Sequence, residues 1–421
     1  MVSEKRLGLV EAAEKIGVSY RHAKRLKKSF EQDGIAGLLH GNQGREPVNK
    51  VSKDLRLRVV SLSDERYGQF NDSHFWEMLV EREGIDLSRE TIRRIRREGG
   101  IKPKCKRRAK KHHKRRPRSV SEGLMILWDG SPHRWFGPDR EPCCAMVAVD
   151  DATGKILALF FVEAECSWAY LELLRRVITS HGIPVSVYQD RHSSLKRNDA
   201  FWSIEEELAG RQDPTQVGSA LEALGIEPIF ATTPQAKGRV ERAFKTLQDR
   251  LCAMLSLEGI RDIAKANGYA ETFVREFNER FAIPAESVQT AWRKPRRGLD
   301  LERVISFEYE ASVGNDNAIR FDGIVIDIEP GPGKRSYAGI RAELRQLLDG
   351  SWRVYYKDKL IATGDASEIA EPIRARRRRK GVRGAPDSKW VYMASKPAGA
   401  IAGNSIRRSG PGRSIGATRI A

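Results

Sequence analysis

Apolar residues recur at helical spacing through residues 8–33. Ala12, Ala13 and Ile16 make one face, Gly17-Val18 interrupts it, and Ala23, Leu26 and Phe30 resume it as far as Gly34. Ser19 stands where a helix N-cap is favoured. The helix after it is basic, with Arg21, Lys24, Arg25, Lys27 and Lys28. A helix, a glycine turn and a capped basic helix form the pattern of a helix-turn-helix, although any small helical hairpin shares it. After a polar stretch from Gly41 to Pro47, a second helical unit is expected from about Lys53 to Gly99. Its last helix opens at Ser88 and carries Arg89, Arg93, Arg94, Arg96 and Arg97 on several faces, a spread that favours contact with a backbone over a salt-bridged surface.

The pattern changes after Val120. Leu124–Trp128 is an apolar run closed by Asp129, and Cys144–Val149 is another, followed by an Asp150-Asp151-Ala152-Thr153-Gly154 turn. Further strands are expected at Lys155–Val162, at Val185–Gln189 (closed by Asp190) and at Pro228–Thr232. Helices are expected at residues 166–180 and 216–224, and a long one from Gln235. A three-strand meander followed by alternating strands and helices predicts a mixed α/β sheet. From about Ser306 to Gly364 short β runs dominate, at 318–321, 324–328, 342–348, 352–356 and 359–362, which predicts a small β-barrel or open β module.

Composition adds a partner. The 421 residues carry a formal net charge of +19, and the charge is clustered. Residues 102–118 hold eleven Lys or Arg and no acid, Arg107 and Arg108 among them, and a second run covers Arg374–Lys380. Such blocks extend by self-repulsion and bind phosphates by releasing counterions. Beyond Glu371 the chain is basic, then rich in Gly, Ser, Ala and Pro, and is expected to be disordered. No apolar run suits a membrane span and Met1–Lys15 lacks the apolar core of a signal peptide, so a cytoplasmic, nucleoid-associated protein with no membrane partner is expected. Cys105, Cys143, Cys144, Cys166 and Cys252 have no metal-site spacing and suit buried thiols.

Two strand-end acids, Asp129 and Asp190, come together if their strands are neighbours. Glu241 lies on the long helix, where Val240, Phe244, Leu247 and Leu251 make the buried stripe and Glu241, Lys245 and Gln248 a polar one; Lys237 falls one turn earlier. Converging carboxylates repel unless cations lie between them, and hard oxygen donors favour Mg²⁺ or Mn²⁺. Two such ions suit displacement at a phosphodiester. Strand-end aspartates are common in α/β proteins, however, and helix glutamates are usually solvated. Asp150 and Asp151 also end a strand, yet read as a structural turn.

From Met125 to about Pro284 the sequence resembles the catalytic core of integrase-type DDE transposases, most nearly the ISNCY-type insertion-sequence group. The residues that carry this are Trp128-Asp129-Gly130-Ser131 with His133 and Trp135, Val149–Gly154, Tyr188–Ser193, and Pro234-Gln235-Ala236-Lys237-Gly238-Arg239-Val240-Glu241-Arg242. The resemblance extends to the helix-turn-helix units and to Asn315-Asp316-Asn317. It implies a multidomain chain with N-terminal all-α helix-turn-helix units, an α/β ribonuclease H-like core with a mixed sheet, and a small C-terminal β-barrel-like module. It also implies that Asp129, Asp190 and Glu241 are the catalytic metal ligands, holding Mg²⁺ or Mn²⁺, two ions in all. The implied partners are double-stranded DNA, as element ends and as target, and further copies of the chain assembled on it.

The expected division is a helix-turn-helix unit at 1–47 (shortened before Leu9 relative to the group), a second helical DNA-binding unit at 48–100 and a basic linker at 101–120. A ribonuclease H-like core at 121–295, a β module at 300–370 and a basic tail at 371–421 follow. Arg21, Arg25, Arg89, Arg93, Arg107, Arg108, Lys237 and Lys245 are the expected DNA contacts, and Lys196 and Arg197 lie in an insert from Ser194 to Thr215. His133 and His192 suit either water or phosphate positioning or a polar rim. The expected activity is metal-dependent 3′-end hydrolysis and strand transfer. A transposase-derived DNA-binding regulator without cleavage is the competing class.

Overall fold

The computed structural model describes residues 2, 6–39, 50–104, 116–197, 202–230 and 238–369, with only the backbone at 238–240. Arg107, Arg108, Lys237, Cys105 and the tail 371–421 lie outside the described residues.

The N-terminal helices are α1 (Leu9–Lys15) and α2 (Tyr20–Asp33), joined through Gly17 at a φ of 68° that a β-carbon would strain. The Ser19 hydroxyl caps α2 by accepting the His22 N–H at 3.3 Å, and Ala12, Ala13 and Ala23 are buried between the two helices. Next come α3 (Lys53–Glu65), α4 (Asp72–Glu81) and α5 (Arg89–Glu98), capped by Ser52, Asn71 and Ser88. Tyr67, Phe70, Phe75, Leu79, Ile92 and Ile95 fill the space between them.

The central sheet is built from β1 (Met125–His133), β2 (Cys143–Asp150), β3 (Ile156–Val162), β4 (Ser186–Gln189) and β5 (Glu227–Phe230). Its order is β3-β2-β1-β4-β5; the first three strands form an antiparallel meander, β4 runs parallel to β1, and β5 parallel to β4. This is the ribonuclease H-like architecture expected of the mixed α/β core. Alternation sends Ile126 and Trp128 to one face and Met125 and Leu127 to the other. The first face is covered by α6 (Ser167–Ser180) and α8 (Gln216–Ala223), with α7 (Ile204–Ala209) in the connection before α8. The second is covered by α9 (Gly238–Leu257) and α10 (Ile263–Phe281).

The helices α3–α5 do not stand away from this sheet. Their apolar side chains join the same cluster as Leu127, Phe244 and Leu251. Glu77 of α4 accepts from Arg250 of α9 and Arg280 of α10, Gln69 donates to Ser256, and Arg82 pairs with Glu258.

After α11 (Leu301–Val304), β6 (Phe307–Ser312), β9 (Arg341–Gln346), β10 (Trp352–Tyr356) and β11 (Lys359–Gly364) form an antiparallel sheet in the order β11-β10-β9-β6. β7 (Ala318–Phe321) and β8 (Ile324–Asp327) form a separate hairpin. Among the described residues the module is therefore open rather than a closed barrel, since β11 and β6 are not paired. No helix among the described residues is long and apolar enough to cross a membrane.

Candidate active site

The end of the apolar run at Trp128 is not the end of β1. The strand continues four residues past Asp129, because β2 pairs with it from Ile126↔Asp150 through to His133↔Cys143. What changes at Asp129 is burial: Met125–Trp128 are buried, while Asp129 and Gly130 are half-buried. Asp190 does sit where expected, one residue past β4.

The parallel pairing of β1 with β4 sets Leu127 beside Tyr188. Asp129 lies two residues beyond Leu127 in β1, and Asp190 two beyond Tyr188, just past the end of β4. By strand alternation Asp129 follows Leu127 onto the face that packs against Phe244 and Leu247 of α9. Behind them, Trp128 Nε1 donates to Gln189 Oε1 at 2.9 Å, so the residues preceding the two aspartates are tied together in the core. Gln189 Nε2 is buried without a hydrogen-bond partner among the described residues.

Glu241 lies in the first turn of α9 and is exposed, as is Lys245. The polar stripe expected there exists, with Phe244, Leu247 and Leu251 buried beside it. Gln248 donates to Ser131 Oγ at 3.2 Å, and Cys252 lies near Cys143, the partner of His133. The helix thus advances in the direction of β1, and Glu241 lies about 10 Å back from Gln248, toward Asp129. Among the described residues no three of His, Cys, Asp and Glu are grouped to hold a metal ion.

Asp150 and Asp151 are wholly buried and structural. Asp150 accepts from the Gly123 and Thr153 backbone N–H groups and the Thr153 hydroxyl; Asp151 accepts from Arg116 and from Ser119. Burial raises the Asp150 carboxyl above its usual range. Cys143 and Cys144 are buried free thiols, pushed by that burial up to about 11 and about 12.

One acid went unremarked in the sequence. Glu165, between β3 and α6, accepts the Tyr170 hydroxyl and stands 3.6 Å from His192 Nδ1. Burial, then the charges of Glu165, Asp129 and Asp190, push the Tyr170 phenol far above its ordinary value. His133 is exposed, its ring edge-on to Trp135 at 5.4 Å.

The basic helices divide. Arg21 and Arg25 lie exposed one turn apart on α2, and Arg89 and Arg93 likewise on α5, with Arg93 bonded to Glu90 at 3.2 Å. The expectation that the spread of α5 arginines serves backbone contact fails for two. Arg96 is 3 % exposed, donating to Asp72 at 2.7 Å and to the Phe70 carbonyl at 3.2 Å, 4.8 Å over the Phe75 ring. Arg97 bonds Asp72 and the Ile101 carbonyl. They hold α5 to α4, because a buried guanidinium needs a carboxylate and carbonyls to replace water. In the insert, Arg197 serves the buried Glu206, and Lys196 sits over the Phe230 ring at 5.1 Å.

The winged helix-turn helix family matches residues 1–56. The chain is 34 % identical over 357 residues to a putative transposase, y4bF, of Sinorhizobium fredii, which spans 85 % of this chain and 77 % of that protein. It is 30 % identical over 389 residues to the transposase for insertion sequence IS1202 of Streptococcus pneumoniae, covering 84 % and 81 % respectively. Two solved structures are similar at low scores. A chain of the simian T-cell lymphotropic virus intasome in complex with PP2A regulatory subunit B56 gamma has a TM-score of 0.30 at 12 % identity, covering 74 % of this chain and 100 % of that one. The HTLV-2 integrase catalytic core domain in complex with magnesium has a TM-score of 0.28 at 16 % identity, covering 40 % and 96 %. Scores of that size establish nothing by themselves; strand order and direction describe the fold.

Proposed function

Because the chain belongs to the insertion-sequence transposases, we propose that it binds the terminal repeats of its element, hydrolyses the phosphodiester bond at the element's 3′ end, and joins the freed 3′-OH to target DNA. The observation that carries this reading is the parallel pairing of β1 with β4, which sets Leu127 beside Tyr188, two residues before Asp129 and Asp190, with the Trp128–Gln189 hydrogen bond just behind the two acids. The donor types fit a hard divalent cation, being carboxylates throughout: Asp129 and Asp190 half-buried, and Glu241 exposed on α9. Asp129, Asp190 and Glu241 would hold Mg²⁺ or Mn²⁺, two ions in all, and bound cations there would offset the charge that builds on phosphorus-bound oxygens.

The protein's own part would be positioning: the tied strands β1 and β4 would set two of the carboxylates, and α9 would bring the third together with Lys245, exposed like Glu241 and suited to a DNA phosphate. Arg21 and Arg25 on α2 and Arg89 and Arg93 on α5 supply duplex contacts, joined by Arg107, Arg108 and Lys237 from the basic segments. Both ends of an element must meet one target, and a +19 chain repels its own copies. Assembly of two or more copies on DNA follows, visible as a mass increase in light scattering when end duplex is added.

The test is cleavage of a terminal-repeat duplex in Mg²⁺. Asp129→Asn, Asp190→Asn and Glu241→Gln are each expected to abolish cutting while binding persists or tightens, since each removes negative charge near DNA. Glu241→Gln cutting at the wild-type rate would remove Glu241 from the set. If wild type binds the repeats and cuts nothing, the chain is a DNA-binding regulator instead.

A further inference from the structure

Glu165 lies behind the two aspartates, on the α6 side of β1 with Trp128 and Cys144. Its Oε2 lies so close over Gly130 that a β-carbon there would come within 2.6 Å of it. Its Oε1 accepts the hydroxyl of the buried Tyr170 and faces His192 Nδ1 at 3.6 Å. His192 in turn organises the turn that follows β4. Its N–H donates to Asp190 Oδ1 at 2.9 Å, and its carbonyl accepts the N–H groups of Leu195 and Lys196, each at 2.9 Å. Leu195 is buried and anchors that turn in the core. One carboxylate therefore lies against the residue after Asp129 and against the residue two past Asp190.

We propose that Glu165 is a positioning residue for DNA cleavage: clamped by Tyr170, it fixes His192, which holds the Asp190 carboxylate, and it braces the backbone that carries Asp129. A residue present only to satisfy the Tyr170 hydroxyl would need neither the close approach to Gly130 nor the imidazole. The glycine of the Trp128-Asp129-Gly130-Ser131 run gains a reason as well, because any larger residue would displace this carboxylate. The inference rests on the reading of Asp129 and Asp190 as the reacting site.

Three substitutions in the full chain separate placement from charge. Glu165→Gln keeps the shape and an oxygen for Tyr170 and removes only the charge. Glu165→Asp keeps the charge but withdraws it by a methylene. Glu165→Ala removes both. Each is measured for affinity to the terminal-repeat duplex without metal, and for single-turnover cleavage across a Mg²⁺ titration. Positioning predicts affinity that is unchanged for Asp and no weaker for Ala and Gln, and, for Ala and Asp, cutting slowed ~10–100-fold with more Mg²⁺ needed for half-maximal rate, as when a supporting partner of a ligand is lost. Glu165→Gln should recover most of the rate; if Ala does not fold, the Gln and Asp pair still decides. Glu165→Asp at the wild-type rate with Gln as slow as Ala would make charge, not placement, the requirement and overturn the proposal. Glu165→Ala cutting normally while Asp129→Asn is dead would also overturn it and leave the wider reading intact. Asp129→Asn that cuts would defeat the wider reading itself.

Discussion

His74 on α4 is 2 % exposed, with its ring 4.3 Å from that of Phe70. Burial, and then the Arg250 guanidinium, push its imidazole from 6.5 down to about 3, against the raising effect of Glu77 and Asp249. Its folded value is depressed, so between pH 6.5 and about 3 the unfolded chain takes up a proton that the folded chain refuses. Stability then falls as pH drops through that window and is unaffected by this group above it. Urea midpoints should decline from pH 7 to pH 5, and His74→Phe should flatten the decline; an unchanged slope in that variant would place the proton elsewhere. Glu77 acts lower: burial would raise it, but Arg250 and Arg280 bring it below the carboxylate norm, so its contribution is lost only as pH falls through that depressed value. Residues of this kind divide by legibility. Asp129 and Asp190 stood out because each interrupts an apolar run. Glu165 did not, because its partners His192 and Gly130 are distant in sequence and meet it only through the sheet. Arg96 misled for the same reason: its carboxylate, Asp72, is 24 residues away.

Among the elements, α10 was readable and overlooked. Asp262 caps it, and Ala266, Ala270, Phe273 and Phe277 recur at helical spacing. Its tertiary task was not readable. β3 is the outermost strand, with a row of backbone groups that would otherwise invite pairing with another chain. Two amides of α10 occupy them: Asn267 bonds the Phe161 N–H and carbonyl at 2.6 and 3.0 Å, and Asn278 does the same for Ile156 at 2.8 Å each. Asn267→Ala and Asn278→Ala should each cost ~1–3 kcal/mol, the range for buried groups left unpaired. The losses should be nearly additive, because the sites are eleven residues, about 16 Å, apart on the helix. Denaturant midpoints measure this, and no change on Asn267→Ala would mean that water replaces the amide without loss. β6 escaped notice although Phe307 and Tyr309 alternate inward, since Glu308 and Glu310 made the segment read as polar.

In the whole molecule the sheet carries a partner on each face. The β module joins the α6 and α8 side, where Trp168 donates to the Leu348 carbonyl at 3.0 Å and the Gln216 amide pairs with the Glu308 backbone at 2.9 and 2.8 Å. The helices α3–α5 join the other side through Glu77, Gln69 and Arg82. Such docking depends on which exposed faces match, which periodicity within one segment does not reveal. The basic segment between α5 and β1 acts on a different footing. Replacing several of its Lys and Arg by Ala should lower the slope of log affinity against log salt by ~0.9 per lost phosphate contact, alike for specific and random duplexes. A loss confined to the terminal repeat would make that segment a sequence reader.

The fastening of α4 to α9 through Glu77 and Arg250 would let the protein act as a gauge. If Arg89 and Arg93 touch the repeat, the number of base pairs between the touched bases and the severed bond is set by protein geometry rather than by DNA sequence. Adding about 5 base pairs there turns the bond to the opposite side of the helix, and adding about 10 restores the side but moves it some 34 Å away. A tethered reader would tolerate the second change, whereas this rigid one should cut neither substrate at its original bond.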